Sequence, residues 1–192
     1  MQRAQRDGYR SRAAYKLLEI QEKDRLLRPG QRIIDLGAAP GGWSQVAANI
    51  VSRSGQVIGL DILPIVPLPG VIFVQSDFST DEALAKLHII LENSPVDLVL
   101  SDMSPNITGI ETIDQPRAMY LCELAVDLCK SVLRPGGVLV IKVFHGVGFD
   151  EFYKHVNSQF RHVKSRKPKA SRAESREVYL VAREFKPDSS KN

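Results

Sequence analysis

The sequence predicts an α/β fold built on a doubly wound, mostly parallel sheet. Short β-branched runs alternate with amphipathic segments along the chain, which is typical of a parallel sheet with helices on both faces. A glycine-rich turn joins the first of these runs to a helix, as in nucleotide-binding α/β units. The 192 residues, of which 43% are hydrophobic and 25% charged, suit one domain with a sizeable core. We therefore expect residues 1–192 to form a single domain.

The first half of the chain supplies the early strands and the glycine turn. An amphipathic helix is predicted over 11–23, with its apolar face formed by Ala14, Leu17, Leu18 and Gln21. Pro29-Gly30 then turns the chain into the first strand. The further predicted elements are a strand at 33–36, a helix at 44–51, strands at 56–61 and 71–74, a helix at 80–92 and a strand at 96–102.

The second half continues the alternation and ends in two strands joined by a basic segment. We predict a loop at 103–109, a helix at 116–133, strands at 138–144, 160–165 and 177–182, and a helix at 150–159. Arg134-Pro135-Gly136-Gly137 is expected to stop the long helix, because proline and glycine resist helix continuation. The sequence contains no repeat, low-complexity segment or domain boundary.

The turn after the first strand indicates which ligand the fold binds. Asp35, Gly37, Gly41 and Gly42 follow a D-x-G-x-x-x-G pattern, so neither the dinucleotide G-x-G-x-x-G nor a P-loop ending in Gly-Lys-Ser/Thr is present. The pattern instead looks like the first motif of S-adenosylmethionine-dependent methyltransferases. The alternative is a tight strand-to-helix turn without a ligand. Asp35 favours the cofactor, because an acid would attract its ammonium and sulfonium groups.

Acidic residues recur at the carboxyl ends of the predicted strands. Asp35, Asp61 and Asp102 end three strands, and Asp77 lies just past another. Asp61 follows the glycine turn by the roughly 20 residues expected for a carboxylate that binds ribose hydroxyls. A single acid at such a place is usually a cap or turn residue. Four at one edge favour a ligand site, because open α/β sheets bind ligands there.

The basic residues are segregated at the two ends of the chain. Residues 1–16 and 161–176 hold 12 of the 26 lysines and arginines but only 2 of the 22 acids, which leaves a charge of −6 on the remaining residues. Such segregation is typical of proteins that bind a polyanion, most simply a nucleic acid. A solvated tail is the alternative, but the second segment joins two predicted strands and should not be free.

Several other classes of protein do not match the composition. No apolar run approaches the roughly 20 residues of a membrane span, and the first residues lack the apolar core of a signal peptide. Cys122 and Cys129 suit buried apolar positions on one helix better than a disulfide. The four histidines show no metal-ligand spacing. We therefore expect a cytoplasmic protein without a metal or a membrane association.

Lys142 interrupts the apolar strand at 138–144. Burial disfavours an ammonium, so a partly buried lysine can serve as a general base near neutral pH. The alternative is a lysine whose head reaches solvent at the strand end. Asp102 is predicted at the end of the neighbouring strand and favours a functional role.

Five motifs then occur in one order along nearly the whole chain. They are Asp35 to Gln45, Ser101 to Asn106, Pro116 to Tyr120, Lys142 to Phe144 and Ser171 to Tyr179. Together they resemble the FtsJ/RrmJ family of RNA ribose 2′-O-methyltransferases, and most closely its bacterial RlmE-type branch, which acts on large-subunit ribosomal RNA. The resemblance implies a Rossmann-like methyltransferase fold, with seven strands and an antiparallel last strand. Bacterial members usually carry a longer basic N-terminal extension than residues 1–16.

The resemblance also implies the site residues. The family's Lys-Asp-Lys-Glu tetrad matches Lys16, Asp102, Lys142 and Glu177. Lys142 would act as the base or would stabilise the developing alkoxide. S-adenosylmethionine, with S-adenosylhomocysteine as product, would be bound by the glycine turn and the strand-end acids, namely Asp35, Gly37, Gly41, Trp43, Asp61, Asp77 and Asp102. Of these, Trp43 has an alternative interpretation as a core aromatic.

The expected partner is ribosomal RNA in the large subunit, which a monomer would bind through its basic segments. The candidate RNA-binding residues flank the tetrad in sequence and are Arg10, Arg12, Lys169, Arg172 and Arg176. The family implies a uridine of the A loop as the target, presented by the assembled subunit. Open alternatives are a transfer RNA or messenger cap methyltransferase and a non-catalytic ribosome-assembly factor. The missing dinucleotide fingerprint argues against an NAD-dependent enzyme.

Overall fold

The computed structural model describes residues 2–187, with side chains from Ala4 onward. The predicted domain 1–192 also includes Met1 and residues 188–192, which lie outside the described residues, as does the side chain of Arg3 in the basic segment 1–16. The helices are α1 (Gln2–Arg6), α2 (Ala13–Asp24), α3 (Gly42–Val51), α4 (Asp81–Leu91), α5 (Glu111–Val132) and α6 (Phe149–Gln159). The strands are β1 (Arg32–Leu36), β2 (Gln56–Asp61), β3 (Val71–Gln75), β4 (Val96–Ser101), β5 (Leu133–Phe144), β6 (Phe160–Arg166) and β7 (Glu177–Phe185).

The seven strands form one sheet in the order β3-β2-β1-β4-β5-β7-β6. The pairs from β3 to β5 are parallel, and β7 lies antiparallel between β5 and β6. The predicted seven-stranded, mostly parallel sheet with an antiparallel last strand is confirmed. The strand order reverses between β1 and β4, which is where open α/β sheets form their ligand crevice.

Two apolar clusters cover the two faces of the sheet. Helices α4, α5 and α6 pack on one face, and α2 and α3 pack on the other. Neighbouring residues of β1 show the alternation, since Ile34 belongs to the first cluster and Ile33 to the second. Both faces of the central strands are therefore buried, as the continuous apolar runs predict.

The predicted apolar face of α2 is partly wrong. Ala14 and Leu17 are buried, but Ile20 and Asp24 complete the buried face, while Leu18 and Gln21 are only half-buried. Asp24 can occupy a buried position because two arginines from β6 and β7 neutralise its carboxylate.

The structure adds one helix to the prediction and moves the starts of α5 and β5 several residues toward the N-terminus. Helix α1 was not predicted, and α5 begins at Glu111 with Pro116 inside it. The α5 start is held by Asp114, which accepts hydrogen bonds from the backbone of Thr108 and Gly109 and so fixes the preceding turn. The Pro-Gly-Gly turn does stop α5, but strand β5 begins at Leu133 and includes the turn.

Candidate active site

A cavity of about 520 Å³ opens at the carboxyl edge of the sheet. The ends of β1, β2 and β4, the residues after β3 and one side of α5 line it. Four of the predicted site residues lie on its wall, namely Gly37, Asp61, Asp77 and Asp102. The cavity therefore coincides with the edge at which the acidic strand ends were expected to meet.

Asp61 and Asp77 are held in place by short loops. Asp61 accepts backbone hydrogen bonds from Ala39 (2.9 Å) and Leu63 (2.9 Å), which tie the glycine turn to the end of β2. One carboxylate oxygen of Asp77 accepts bonds from the hydroxyl (2.7 Å) and backbone nitrogen (3.0 Å) of Ser79. These bonds hold the pKa of Asp77 below its usual value. Both carboxylates thus have fixed positions beside the cavity.

The glycine turn needs glycine at Gly37 for two reasons. Its φ of +73° lies in the left-handed region, and a Cβ there would come within 2.7 Å of the Met103 side chain. The loop after β4 therefore packs directly on the turn. Gly41 (φ +111°) instead faces Leu68 and the Arg10 side chain, and it does not line the cavity.

Asp35 is fully buried beneath the turn and does not line the cavity. The Ser44 hydroxyl donates to one of its carboxylate oxygens at 2.6 Å, while the other oxygen has no hydrogen-bond partner among the described residues. Burial raises the pKa of Asp35 to about 7 against the lowering bond from Ser44, and the charges of Asp102 and Asp61 add to the increase. The predicted contact between Asp35 and the cofactor stays a prediction.

Trp43 is a core residue. Its side chain is buried, its indole nitrogen donates to the Ala13 carbonyl at 2.8 Å, and its ring lies 5.6 Å from that of Tyr179. It does not line the cavity. The structure thus agrees with the interpretation of Trp43 as a core aromatic, and its hydrogen bond anchors the start of α2.

The four residues of the predicted tetrad come together as two ion pairs. The Lys16 ammonium lies 2.5 Å from Glu177, and the Lys142 ammonium lies 3.2 Å from the Asp102 carboxylate. Lys142 also donates to the Asp102 backbone carbonyl at 2.7 Å. At 8 to 16% exposure, these side chains are largely shielded from water. Each lysine therefore has its own carboxylate to hold it.

Tyr179 connects the two pairs, a role that was not predicted from the sequence. Its hydroxyl donates to Asp102 at 2.7 Å, and the Lys16 ammonium lies 5.7 Å from the centre of its ring. It is completely buried and lies opposite Lys142 in the sheet. Strand alternation could have identified it, because a residue two positions after Glu177 shares its face.

Electrostatics favour the charged form of Glu177. Burial alone would raise the pKa of Glu177, but the paired ammonium of Lys16, the nearby Ser171 side chain and the charge of Lys142 together lower it. This carboxylate therefore stays ionised and keeps its hold on Lys16 in neutral solution.

The two basic segments meet beside this site. Glu177 begins β7 opposite Phe144 at the carboxyl end of β5, so the segment before it lies at the same edge as Asp102. Arg12 donates to the Ala170 carbonyl, and the Glu19 carboxylate accepts from the backbone of Lys169 and Ala170. Residues from both ends of the chain thus form one surface near the tetrad.

The predicted RNA-binding residues differ in how far their charges are already engaged. Arg10 donates to the Val66 and Pro67 carbonyls, and Arg176 forms an exposed ion pair with Glu111. Arg172 and Lys169 are exposed, and neither side chain forms an ion pair among the described residues. The structure therefore leaves these two cations most accessible to an anion.

The comparison with known families decides the classification. A family model described as FtsJ-like methyltransferase matches residues 9–185. The chain belongs to the FtsJ-like methyltransferase family. Its relatives include a protein from Alkalilimnicola ehrlichii that is 60% identical over 96% of this chain and 88% of its own length. A Pseudomonas aeruginosa protein is 57% identical over 95% of this chain and 88% of its own. Both carry the name ribosomal RNA large subunit methyltransferase E.

A solved structure supports the FtsJ-like classification. The crystal structure of a putative ribosomal RNA methyltransferase from Plasmodium falciparum superposes with a TM-score of 0.81 at 30% identity. The match covers 92% of this chain and 98% of that one. The Rossmann-like methyltransferase fold expected from the sequence is therefore confirmed for this family member.

Cys122 and Cys129 are free thiols in the core, as predicted. Within residues 2–187, no cluster of three or more histidine, cysteine or acidic side chains could hold a metal ion. Every helix in this range is too short or too polar to span a bilayer.

Proposed function

We propose that this chain transfers a methyl group from S-adenosylmethionine to a ribose 2′-hydroxyl of large-subunit ribosomal RNA. The proposal rests on two ion pairs, Lys16–Glu177 and Lys142–Asp102, which lie beside the cavity at the carboxyl edge of the sheet. The names of relatives at 57–60% identity support ribosomal RNA of the large subunit as the substrate.

The cavity suits the cofactor in size and in its polar groups. Its volume of about 520 Å³ lies within the range of small-molecule sites. Asp61 is the candidate for the ribose hydroxyls. Asp77 is the candidate for the adenine amino group, since the bonds from Ser79 leave its second carboxylate oxygen available within residues 4–187. Asp102 would lie near the transferable methyl. Gly37 keeps this space open, because a Cβ there would displace Met103.

The other predicted cofactor residues receive a supporting role. Asp35 fixes Ser44 at the start of α3, Trp43 anchors α2, and Gly41 lets the Arg10 side chain pack against the turn. None of these three residues lines the cavity. We infer that they shape the turn rather than contact the cofactor.

The tetrad residues would act on the attacking hydroxyl. When bound, S-adenosylmethionine supplies an electrophilic methyl group. Lys142, positioned by Asp102, would accept the hydroxyl proton or stabilise the negative charge that develops on the oxygen. Lys16, positioned by Glu177, would add a second positive charge. The buried hydroxyl of Tyr179 would keep the Asp102 carboxylate aimed at Lys142.

The basic surface at the same edge would hold the RNA. Lys169 and Arg172 are the first candidates for phosphate contacts, and Arg12 lies beside them through its bond to Ala170. Arg176 could exchange Glu111 for a phosphate, since that pair is exposed, whereas Arg10 mainly fastens the loop at Val66. The segments 1–16 and 161–176 would thus act as RNA-contacting parts of one domain.

Within ribosomal RNA, we propose a uridine of the A loop in the assembled large subunit as the target, from the resemblance to RlmE-type enzymes. The protein would act as a cytoplasmic monomer without a metal. Transfer RNA or a messenger cap would be modified by the same tetrad chemistry, and a non-catalytic assembly factor would bind RNA without transfer.

A methyl-transfer assay tests the proposal. The protein is incubated with radiolabelled S-adenosylmethionine and large subunits from cells that lack their own enzyme, and the nucleosides are then identified. Label in 2′-O-methyluridine, lost in Lys142→Ala, would support the reaction. Label only on transfer RNA or capped RNA would change the substrate. Cofactor binding without transfer to any RNA would favour the assembly factor.

A further inference from the structure

A basic groove lies on the α2 side of the sheet, away from the cavity. It has a volume of about 440 Å³, and its charged walls come from the end of α2 and from β6 and β7. The groove exists because α2 ends at Asp24 and leaves the outer part of these two strands uncovered. Neither the cofactor cavity nor the tetrad shares a residue with it.

The charges of the groove are predominantly positive. Among the described residues, Asp24 is the one acid that lines the groove, and it is 4% exposed and already bonded to Arg166 at 2.7 and 2.8 Å. Arg183 donates to the Asp24 backbone carbonyl and lies 3.5 Å from its carboxylate. Two arginines against one carboxylate leave one positive charge. Lys23 and Lys164 add two more, because both are exposed and form no side-chain bond among residues 4–187.

The arrangement of these cations is extended. The basic residues His162, Lys164 and Arg166 are two positions apart along β6 and therefore share one face. They lie opposite Arg183, Val181 and Tyr179 of β7. His162 is not counted as a cation of the groove, because it faces Glu184 at 3.6 Å. At about 3.3 Å per residue, Arg183 lies roughly 13 Å along its strand from Tyr179. Arg183 therefore lies well away from the catalytic edge, toward the amino ends of the parallel strands.

We propose that the groove bounded by Lys23, Lys164 and Arg183 binds backbone phosphates of the ribosomal RNA, at a point removed from the methylated nucleotide. The proposal rests on the proposed function. An extended line of cations fits an extended polyanion. Val181 is the one apolar side chain on the groove's wall within the described part of the chain, and it provides no anchor of the kind that protein partners use. Phosphate contacts of this sort position the RNA without reading its sequence.

The salt dependence of RNA binding tests the groove. The test variant is Lys23→Gln/Lys164→Gln, which removes two exposed charges and leaves the Asp24 cluster intact. The control is Lys130→Gln/Lys154→Gln, which removes the same charge from exposed positions on α5 and α6, across the sheet. The dissociation constant for transcribed large-subunit ribosomal RNA is measured from 50 to 200 mM KCl at constant Mg²⁺.

Each lost phosphate contact reduces the slope of log affinity against log salt by about 0.7 to 0.9. The test variant should therefore bind more weakly than the wild type at low salt. Its deficit should narrow about seven- to twelve-fold between the two salt concentrations, since two contacts are lost. Cofactor affinity and turnover at saturating substrate should stay unchanged, because neither lysine touches the cavity or the tetrad.

The possible outcomes separate the two proposals. A test variant whose salt slope equals that of the control would overturn the groove, even if the wild type methylates ribosomal RNA. A wild type that methylates no ribosomal RNA would overturn the proposed function, whatever the slopes. A flattened slope with normal turnover at saturating substrate would support the groove as an RNA contact outside the catalytic site.

Discussion

Replacing Asp24 by asparagine is expected to lower the free energy of unfolding by about 3 kcal/mol, because it breaks a buried ion pair. Asp24 lies at the end of α2, and its carboxylate accepts two hydrogen bonds from Arg166 of β6, with Arg183 of β7 as a second cationic partner. The same helix carries Lys16, whose partner Glu177 begins β7. The cluster therefore joins α2, which carries Lys16, to β7, which carries Glu177.

The magnitude follows from the exposure of the three side chains. Breaking a buried ion pair by removing one partner costs about 3 to 5 kcal/mol. Asp24 is only 4% exposed, but Arg166 and Arg183 are 24% and 34% exposed, so water can recover part of their solvation. We therefore take the lower end of the range. For a chain of this size, each kcal/mol lowers the melting temperature by about 2 to 4 °C, so a decrease of roughly 6 to 12 °C is expected.

The pH dependence gives a second signature of the same interaction. Burial alone would raise the pKa of Asp24, but hydrogen bonds and charges from Arg166 and Arg183 lower it below its model-compound value of 3.8. A lowered pKa stabilises the folded state above that value, and the stabilisation is lost as the pH falls through the folded-state pKa. The difference between the wild type and Asp24→Asn should therefore be full at pH 7 and shrink below about pH 4.

Urea unfolding at several pH values measures the difference, with the m-value as a check on two-state behaviour. Asp127→Asn is the matched control, since it breaks an ion pair with Lys130 whose side chains are 62% and 43% exposed. Such a surface pair is worth less than about 1 kcal/mol. A loss below 1 kcal/mol for Asp24→Asn, or one that does not depend on pH, would refute the reasoning.

Three further changes address the active site. Lys142→Ala should lower kcat by about 10²- to 10⁴-fold. If the lysine is a base, Lys142→Arg should lower kcat as much, because arginine stays protonated. If the lysine's charge stabilises the oxygen instead, Lys142→Arg should retain part of kcat. Tyr179→Phe removes the 2.7 Å bond to Asp102 and should lower kcat about tenfold or more, with unchanged cofactor affinity by calorimetry; an unchanged kcat would show that the hydroxyl does not position Asp102. Gly37→Ala should weaken cofactor binding at least tenfold, because the alanine Cβ would lie 2.7 Å from the Met103 side chain and alanine disfavours the positive φ. The control is Gly136→Ala, which has a φ of +76° but no close contact, and it should lower stability without changing cofactor binding.

Most strands and helices of the sheet could be predicted, because their patterns are local. The strand at 56–61 has the predicted boundaries, and the helix predicted at 80–92 was found at Asp81–Leu91. The apolar face of α2 could not be predicted fully. In a sequence pattern, a polar residue such as Asp24 indicates the exposed side of a helix and not its buried face. Asp24 can be buried only because Arg166 pairs with it, and Arg166 is 142 residues away in the sequence.

The candidate site divides in the same way. Strand-end position placed Asp61, Asp77 and Asp102 on the cavity wall, since the carboxyl ends of parallel strands share one edge. The same argument could not separate Asp35 from them, because its burial depends on Ser44 and on the packing of α3 above it. Whether a strand-end acid faces a ligand or the core depends on its neighbours in space, which spacing does not reveal.

The tetrad and the basic surfaces differ in net charge, and we expect them to have different electrostatic roles. Two lysines and two carboxylates give the candidate catalytic centre no formal net charge, and each ammonium is held by its own acid. Such a centre has little long-range attraction for RNA, but it needs little reorganisation when negative charge develops on a nearby oxygen. Under the proposed function, the attraction for RNA would come from cations outside this centre, at Lys169 and Arg172 and along β6. This separation would let the flanking charges bind RNA strongly without disturbing the pairs that position Lys142.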